Sequence, residues 1–178
     1  MKLHLGCGKR IIPGFVHIDA IDYPHVDHVA TIDNLSFVPD NSVDVIYNCH
    51  VLEHFKRRDV GRVLQEWLRV LKPGGTLRIS VPDFAKLCDV YQQYRQLNLV
   101  IGALFGRQDY LYNIHYNVFD FASLSAELES VGFTNVRRYD WRETEHADVD
   151  DYSQAYVPHM DKDNGILVSL NVECSKPA

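Results

Sequence analysis

The chain lacks the features of secreted, membrane-spanning and zinc-ribbon proteins. Its four cysteines form no Cys-x-x-Cys pair, and no cysteine–histidine cluster has the spacing of a zinc site. Scattered free thiols are typical of a reducing compartment. No apolar run approaches the roughly 18 residues of a membrane span, and Met1 to Leu5 shows no signal-peptide pattern. We therefore expect a cytoplasmic protein without a membrane partner.

An excess of positive charge is also missing. The formal net charge is -6, which does not favour non-specific binding to DNA, RNA or an anionic membrane. The basic residues Lys56, Arg57, Arg58 and Arg62 indicate a solvated helix start. We expect no nucleic-acid partner.

Strand-like and helix-like segments alternate along the chain, with no internal repeat and no linker. A length of 178 residues, of which 46% are hydrophobic, is typical of one globular domain. Alternation of this kind indicates a parallel sheet with helices on both faces. We predict a single α/β domain over residues 1–178.

The predicted elements follow from apolar periodicity and from turn residues. Strands are expected at Leu3–Leu5, Phe15–Ile18, Val26–Ile32, Val43–Tyr47, Thr76–Val81, Val136–Tyr139 and Ile166–Val172. Helices are expected at Val60–Leu71, Phe84–Leu97 and Phe121–Val131. Two irregular segments, at about 97–120 and 140–165, are rich in Tyr, Asn, His and Asp. Such loops often shape the ligand site of an open α/β sheet.

Glycines follow the first predicted strand, and an acidic residue follows each of the next two. Gly6-Cys7-Gly8 allows a tight turn and a close approach of ligand to backbone. Asp19 is placed to accept hydrogen bonds from both hydroxyls of a ribose, and Asp33 lies within reach of an adenine edge. The pattern predicts a nucleoside pocket. The alternative is that the two acids only cap turns.

The glycine turn does not fit a dinucleotide. Ile11 occupies the place of the third glycine in Gly-x-Gly-x-x-Gly, and Pro13-Gly14 ends any following helix early. Asp19 follows Gly8 sooner than the roughly 20 positions of the dinucleotide fingerprint. A ligand without phosphate needs no helix N-terminus, so this spacing favours S-adenosylmethionine over NAD.

Further segments, taken in order, resemble a known family. Leu3–Gly8 with Pro13–Phe15 and Ile18-Asp19 is similar to the first motif of the class I methyltransferases, specifically the small predicted methyltransferases close to the type-11 domains. The resemblance continues through Val38–Tyr47, His50–Phe55, Arg69–Leu77, Asp109–His115 and Gly132-Phe133. One departure is His4, which stands where an acidic residue or asparagine is common.

This resemblance implies a Rossmann-like sheet of seven mostly parallel strands in the order 3-2-1-4-5-7-6, with no N-terminal lid helices. It also implies S-adenosylmethionine as the cofactor. The residues implied to contact the cofactor are Gly6, Cys7 and Gly8 at its amino-acid and ribose portion, Asp19 at the ribose, Asp33, Asn34 and Leu35 at the adenine, and Asn48, Cys49 and His50 beside the sulfonium.

Methyl transfer to a hydroxyl needs precise positioning and a base, for which histidine is well suited near neutral pH. His115, in the tyrosine-rich segment Tyr110–Tyr116, is the first candidate for the base, and His50 is the second. His54 is expected to be structural. Asp83, just after the fifth predicted strand, is a candidate carboxylate for contact with substrate.

No metal site is expected. His50 and His54 share one face of a helix that begins there, but their surroundings complete no recognised ligand spacing.

Two motifs that the sequence lacks exclude certain classes of methyl acceptor. Asn48-Cys49-His50 is not the Pro-Pro motif of amino-methylating DNA enzymes, and Cys49 lacks the preceding proline of cytosine-C5 enzymes. We predict a methyltransferase acting on oxygen of a small-molecule or carbohydrate-like acceptor. The alternative is a catalytically inactive SAM-binding module with a regulatory or interaction role. Three alternatives stay for the acceptor site. It is open to solvent, it is covered by the two irregular segments, or it is completed by a partner subunit in a homodimer.

Overall fold

A computed structural model describes residues 1–178 and contains nine strands and four α-helices. The strands are β1 (Lys2–Leu5), β2 (Val16–Asp19), β3 (His28–Val29), β4 (Val43–Cys49), β5 (Leu71–Pro82), β6 (Thr134–Arg138), β7 (Tyr156–Val157), β8 (Ile166–Leu167) and β9 (Ser169–Ser175). The helices are α1 (Val60–Val70), α2 (Phe84–Tyr94), α3 (Ile101–Phe105) and α4 (Phe121–Ser130). None of these helices combines the length and the apolar character needed to cross a membrane.

Seven strands form one sheet in the order β3-β2-β1-β4-β5-β9-β6. Neighbours from β3 to β5 are parallel, and β9 runs antiparallel to both β5 and β6. Since β9 is the seventh strand of this sheet along the chain, the predicted order 3-2-1-4-5-7-6 is confirmed. The carboxyl ends of β1, β2, β4 and β5 therefore lie at one edge, which we call the carboxyl rim.

Helix α1 follows the apolar stripe seen in the sequence. Its side chains Val63, Leu64 and Trp67 are fully buried in the main core against the sheet. The Trp67 indole Nε1–H donates to the Ile32 carbonyl oxygen at 2.9 Å, so this buried polar group is satisfied. The segment after β3 is thereby fixed to α1.

The third and last predicted strands differ from those observed. Strand β3 has only two residues, because the chain turns after Val29 to bury Ile32 against α1. Asp33 consequently does not end a strand. The predicted strand Ile166–Val172 is interrupted at Val168, whose N–H donates to the Ala155 carbonyl oxygen at 2.9 Å. Residues before this break pair with β7, and those after it pair with β5.

Two other boundaries move for local reasons. Helix α2 ends at Tyr94, earlier than Leu97, because Arg95 adopts a left-handed conformation with φ of 54°. The Lys72–Gly75 turn lies within β5, since Leu71 already pairs with Val43 ahead of a bulge. Neither change moves a residue of the carboxyl rim.

Candidate functional site

The glycine turn at the end of β1 requires glycine at Gly6 for two reasons. Its φ is +64°, and a Cβ added there would lie 2.6 Å from Val51 Cγ2. The Gly6 N–H donates to the Ile18 carbonyl oxygen at 2.8 Å, which joins the turn to β2. At Gly8, φ is +54° and an added Cβ would meet no atom within 4 Å. The turn therefore leaves open space beside Gly8.

Asp19 closes this turn from the neighbouring strand. Its Oδ2 accepts from the Gly8 N–H at 2.7 Å, and its Oδ1 accepts from the Ile21 N–H at 2.8 Å. Asp19 is thus on the carboxyl rim next to the glycines, as a shared ligand site requires. The carboxylate caps the turn, and each oxygen also keeps capacity for a further hydrogen bond.

Asp33 is held by α1. Its carboxylate Oδ2 accepts from Arg62 Nη2 at 2.8 Å, and its carbonyl oxygen accepts from Arg62 Nη1 at 3.3 Å. Partial burial is the largest single effect and opposes ionisation of Asp33, but the hydrogen bonds from Arg62 and Thr31 and the charge of Arg62 together lower the pKa of this carboxyl. The Leu35 N–H donates to Glu66 on the same helix at 2.7 Å, and Asn34 accepts from the Ser36 N–H. These contacts favour the alternative in which Asp33 fixes a turn, and its adenine contact stays a prediction.

The exit of β4 lies beside the glycine turn, since Val51 is the residue that contacts Gly6. Asn48 is fully buried, and neither its Oδ1 nor its Nδ2 has a hydrogen-bond partner. Burial raises the pKa of the Cys49 thiol well above its usual value, so this group is not a thiolate nucleophile. Asn48, Cys49 and His50 therefore lie close to the glycine turn in space, and their contacts with the sulfonium stay a prediction.

His50 has a left-handed backbone, with φ of 54°, and a largely buried ring. Its Nε2 lies 3.2 Å from Ser169 Oγ, and its Nδ1 lies 3.4 Å from Glu53 Oε1. Burial, followed by the nearby charges of His115 and His54, lowers the pKa of His50 to about 3. The imidazole is therefore neutral at pH 7, with a lone pair on one nitrogen.

His54 and His115 join the first irregular segment to the end of β4. His54 Nδ1 is 3.1 Å from the Ile114 carbonyl oxygen, and its Nε2 is 3.2 Å from that of His50. His115 Nδ1 donates to the Ala103 carbonyl oxygen at 2.8 Å, and burial lowers the pKa of His115 to about 4. The two rings meet edge to face at 4.7 Å.

Glu53 is a buried acid that the sequence interpretation did not single out. It is fully buried, and neither carboxylate oxygen has a hydrogen-bond partner. Burial raises the pKa of Glu53 to about 8, against the opposing effect of its own backbone N–H. Its position three residues after His50 was the available signal.

Asp83 has structural partners on both oxygens. Its Oδ1 accepts from the Ala85 N–H at 3.1 Å as the N-cap of α2, and its Oδ2 accepts from Arg138 Nη1 at 3.2 Å. The side chain is 1% exposed. These contacts fix α2 to β6 and leave the substrate contact a prediction.

The two irregular segments pack against the same small apolar cluster, with Leu104 from the first segment and Ala155 from the second. Burial, then the charges of Tyr23 and Asp109, raises the pKa of Tyr110 in the first segment. From the second segment, the Tyr152 ring lies 5.2 Å from that of His50. Both aromatic side chains are exposed. Tyr152 thus brings an exposed aromatic ring from the second segment next to His50.

Alanine substitutions at the two glycines test this description of the turn. Gly8→Ala incurs only the left-handed strain, so we expect the free energy of unfolding to fall by about 1–2 kcal/mol. Gly6→Ala adds the contact with Val51 and should cost a further ~1–3 kcal/mol. Urea denaturation of both variants measures the difference, with Gly8→Ala as the matched control. Equal losses would contradict the close approach of Val51.

Comparison with known proteins gives a match to one family model. Residues 10–79 match the family model described as a methyltransferase domain. No curated protein matches the sequence.

Solved structures share the fold at low sequence identity. A SAM-dependent methyltransferase from Archaeoglobus fulgidus is 15% identical, with a TM-score of 0.60 over 98% of this chain and 85% of that chain. The Burkholderia thailandensis 1,6-didemethyltoxoflavin-N1-methyltransferase, solved with S-adenosylhomocysteine, is 14% identical, with a TM-score of 0.60 over 99% and 71%. A Haloferax volcanii complex of a methyltransferase with its activator gives 15% identity and a TM-score of 0.58 over 99% and 82%.

At these identities the structural likeness is one of fold, and the family model supplies the link in sequence. Together they indicate S-adenosylmethionine as the cofactor and confirm the resemblance predicted above. Residues 10–79 therefore resemble a methyltransferase domain, and the sheet has the fold of SAM-dependent methyltransferases of known structure.

Proposed function

We propose that this chain transfers a methyl group from S-adenosylmethionine to a hydroxyl oxygen of a small-molecule or carbohydrate-like acceptor. The observation that carries the proposal is the hydrogen bond from the Gly8 N–H to the Asp19 carboxylate at 2.7 Å. It joins the glycine turn and the acid into one cradle on the carboxyl rim. Open space beside Gly8 fits a ligand pressed against the main chain.

The cradle offers what a phosphate-free nucleoside needs. Asp19 is held by two backbone N–H groups, and its remaining oxygen lone pairs would accept from the ribose hydroxyls. Gly6, Cys7 and Gly8 would contact the amino-acid portion and the ribose. When bound, S-adenosylmethionine supplies an activated methyl group on a sulfonium. The work left to the chain is to position the acceptor and to take its proton.

Among the three candidate catalytic residues, the geometry favours His50 as the base. It directly precedes Val51, which contacts the glycine turn, whereas both oxygens of Asp83 already have structural partners. With Nδ1–H directed at Glu53, the His50 Nε2 lone pair would face Ser169 and an incoming acceptor hydroxyl. His50 Nε2 would then accept the proton that the acceptor hydroxyl loses when it takes the methyl group from the sulfonium, which leaves as S-adenosylhomocysteine.

The acceptor site is best explained by the two irregular segments. Exposed tyrosines of these segments, Tyr110, Tyr112, Tyr116 and Tyr152, give apolar ring faces with polar tips. Such a surface suits a sugar or an aromatic small molecule. The net charge of -6 disfavours polyanionic acceptors. This arrangement supports a covered site within one chain over a site completed by a homodimer.

One observation supports the alternative of an inactive SAM-binding module. Burial lowers the pKa of His50 to about 3, which makes its imidazole a weak base. A protein of this kind would bind S-adenosylmethionine through the same cradle without turnover.

The cofactor cradle is tested by Asp19→Ala. We expect S-adenosylhomocysteine to raise the melting temperature of the unaltered chain, as any ligand of the native state does, whereas NADH should not. In Asp19→Ala this increase should vanish, because the ribose hydroxyls lose their acceptor. Asp22→Ala, an exposed neighbour, is the matched control and should keep the full increase. An unchanged increase in Asp19→Ala would remove Asp19 from the site.

Catalysis is tested with labelled S-adenosylmethionine and a fractionated pool of metabolites and glycans. Once an acceptor is found, His50→Gln should lower kcat by about 10²–10⁴-fold, the usual contribution of a general base. The exposed His159→Gln is the control and should leave kcat unchanged. Turnover that survives in His50→Gln but is lost in His115→Gln would return the base to His115. Cofactor binding without transfer to any fraction would support the inactive module.

A further inference from the structure

Three metal-binding side chains meet next to the proposed base. Glu53 and His54 belong to a single 3-10 turn after β4, and His115 comes from the first irregular segment. One ligand atom from each of the three lies within 4.8 Å of the others. The spacing of His50 and His54 in the sequence suggested no third ligand, but folding brings His115 into that place.

The Glu53 carboxyl group lacks a partner that would justify its burial. It is fully buried and neither oxygen makes a hydrogen bond, while its nearest imidazole nitrogen, His50 Nδ1, is 3.4 Å away. A buried polar group without a hydrogen bond costs free energy, and a buried carboxylate costs more. A cation between Glu53 and the two histidines would offset that cost.

The histidines are oriented as metal ligands usually are. His115 donates its Nδ1–H to the Ala103 carbonyl oxygen at 2.8 Å, which leaves the Nε2 lone pair free. Histidines that bind metals commonly direct their other N–H at a backbone carbonyl in this way.

His54 has one nitrogen contact that a hydrogen bond does not explain. Both of its nitrogens face carbonyl oxygens, those of Ile114 and His50. A neutral imidazole has a single N–H, so one of its nitrogens directs a lone pair at an oxygen. Metal binding by that nitrogen requires the facing carbonyl oxygen or the ring to move aside, and it would replace a repulsive contact by a bond.

We propose that Glu53, His54 and His115 bind a divalent first-row transition-metal ion, for which Zn²⁺ is the best match. Two imidazoles and one carboxylate are a recurrent zinc donor set, and zinc imposes no geometry through its d electrons. Three protein ligands leave a position for water or an acceptor oxygen. The proposal goes beyond methyl transfer and does not depend on it.

The test is a titration of the full chain, first stripped with a chelator, with Zn²⁺ alone and separately with Co²⁺. We expect about one metal ion per chain and a Co²⁺ visible spectrum without cobalt–thiolate charge-transfer bands, since the donor set has no thiolate. Glu53→Gln and His115→Gln should each weaken Zn²⁺ binding by more than ~100-fold, which exceeds the usual effect of an outer-shell change. His159→Gln is the exposed control.

Several results would overturn the metal site: no binding of either ion, unchanged affinity in Glu53→Gln, or charge-transfer bands that indicate cysteine ligands. Glu53→Gln is nearly isosteric and removes a buried acid, so it should remain folded even where His115→Gln does not. The effect of S-adenosylhomocysteine on the melting temperature of the stripped chain separates the two proposals. If that increase persists without Zn²⁺ binding, only the metal site fails. If Zn²⁺ binds and the increase is absent, only the methyltransferase proposal fails.

Discussion

The hydrogen bond between the Gly8 N–H and the Asp19 carboxylate is the contact on which the site depends. It connects the ends of two adjacent parallel strands, and glycine favours it by adopting the left-handed turn after β1 without strain. With Ile21 as a second donor, Asp19 is fixed before any ligand arrives. Binding therefore requires little reordering of the chain on this side, which lowers the entropy lost on association.

The opposite side of the site is built by residues distant in sequence. Ser169 begins β9, the single antiparallel strand of the main sheet, and it reaches His50 at the end of β4. Burial in this contact weakens the basicity of the imidazole while it fixes the orientation of the ring. Glu53, on the other side of the ring, carries an acid whose pKa is raised by the same burial. The same burial therefore fixes the His50 ring and shifts the pKa values of His50 and Glu53.

Features that depend on residues close in sequence could be predicted, whereas contacts between distant segments could not. Alternating periods predict an α/β domain, and the stripe through Trp67 locates α1, because both patterns depend on neighbouring residues. The strand order was implied only by the resemblance to the class I methyltransferases. The place of Asp19 beside the glycine turn could be predicted, since it ends its own strand. The partner of Asp33, which is Arg62, could not be predicted, because it lies on a helix distant in sequence. The meeting of Glu53 with His115 depends on a fold-level contact between two segments, which no local spacing encodes.

The first irregular segment is anchored at Ile114 and Tyr116 and exposed a few residues earlier, at Leu111. At the anchored part, the Glu53 carbonyl oxygen accepts from the Tyr116 N–H at 2.8 Å, and His54 Nδ1 contacts the Ile114 carbonyl oxygen. At its tip, Leu111 is 72% exposed. We therefore expect motion of this segment at its exposed tip and not where Glu53 and His54 hold it. Such motion would leave the contacts beside His50 in place.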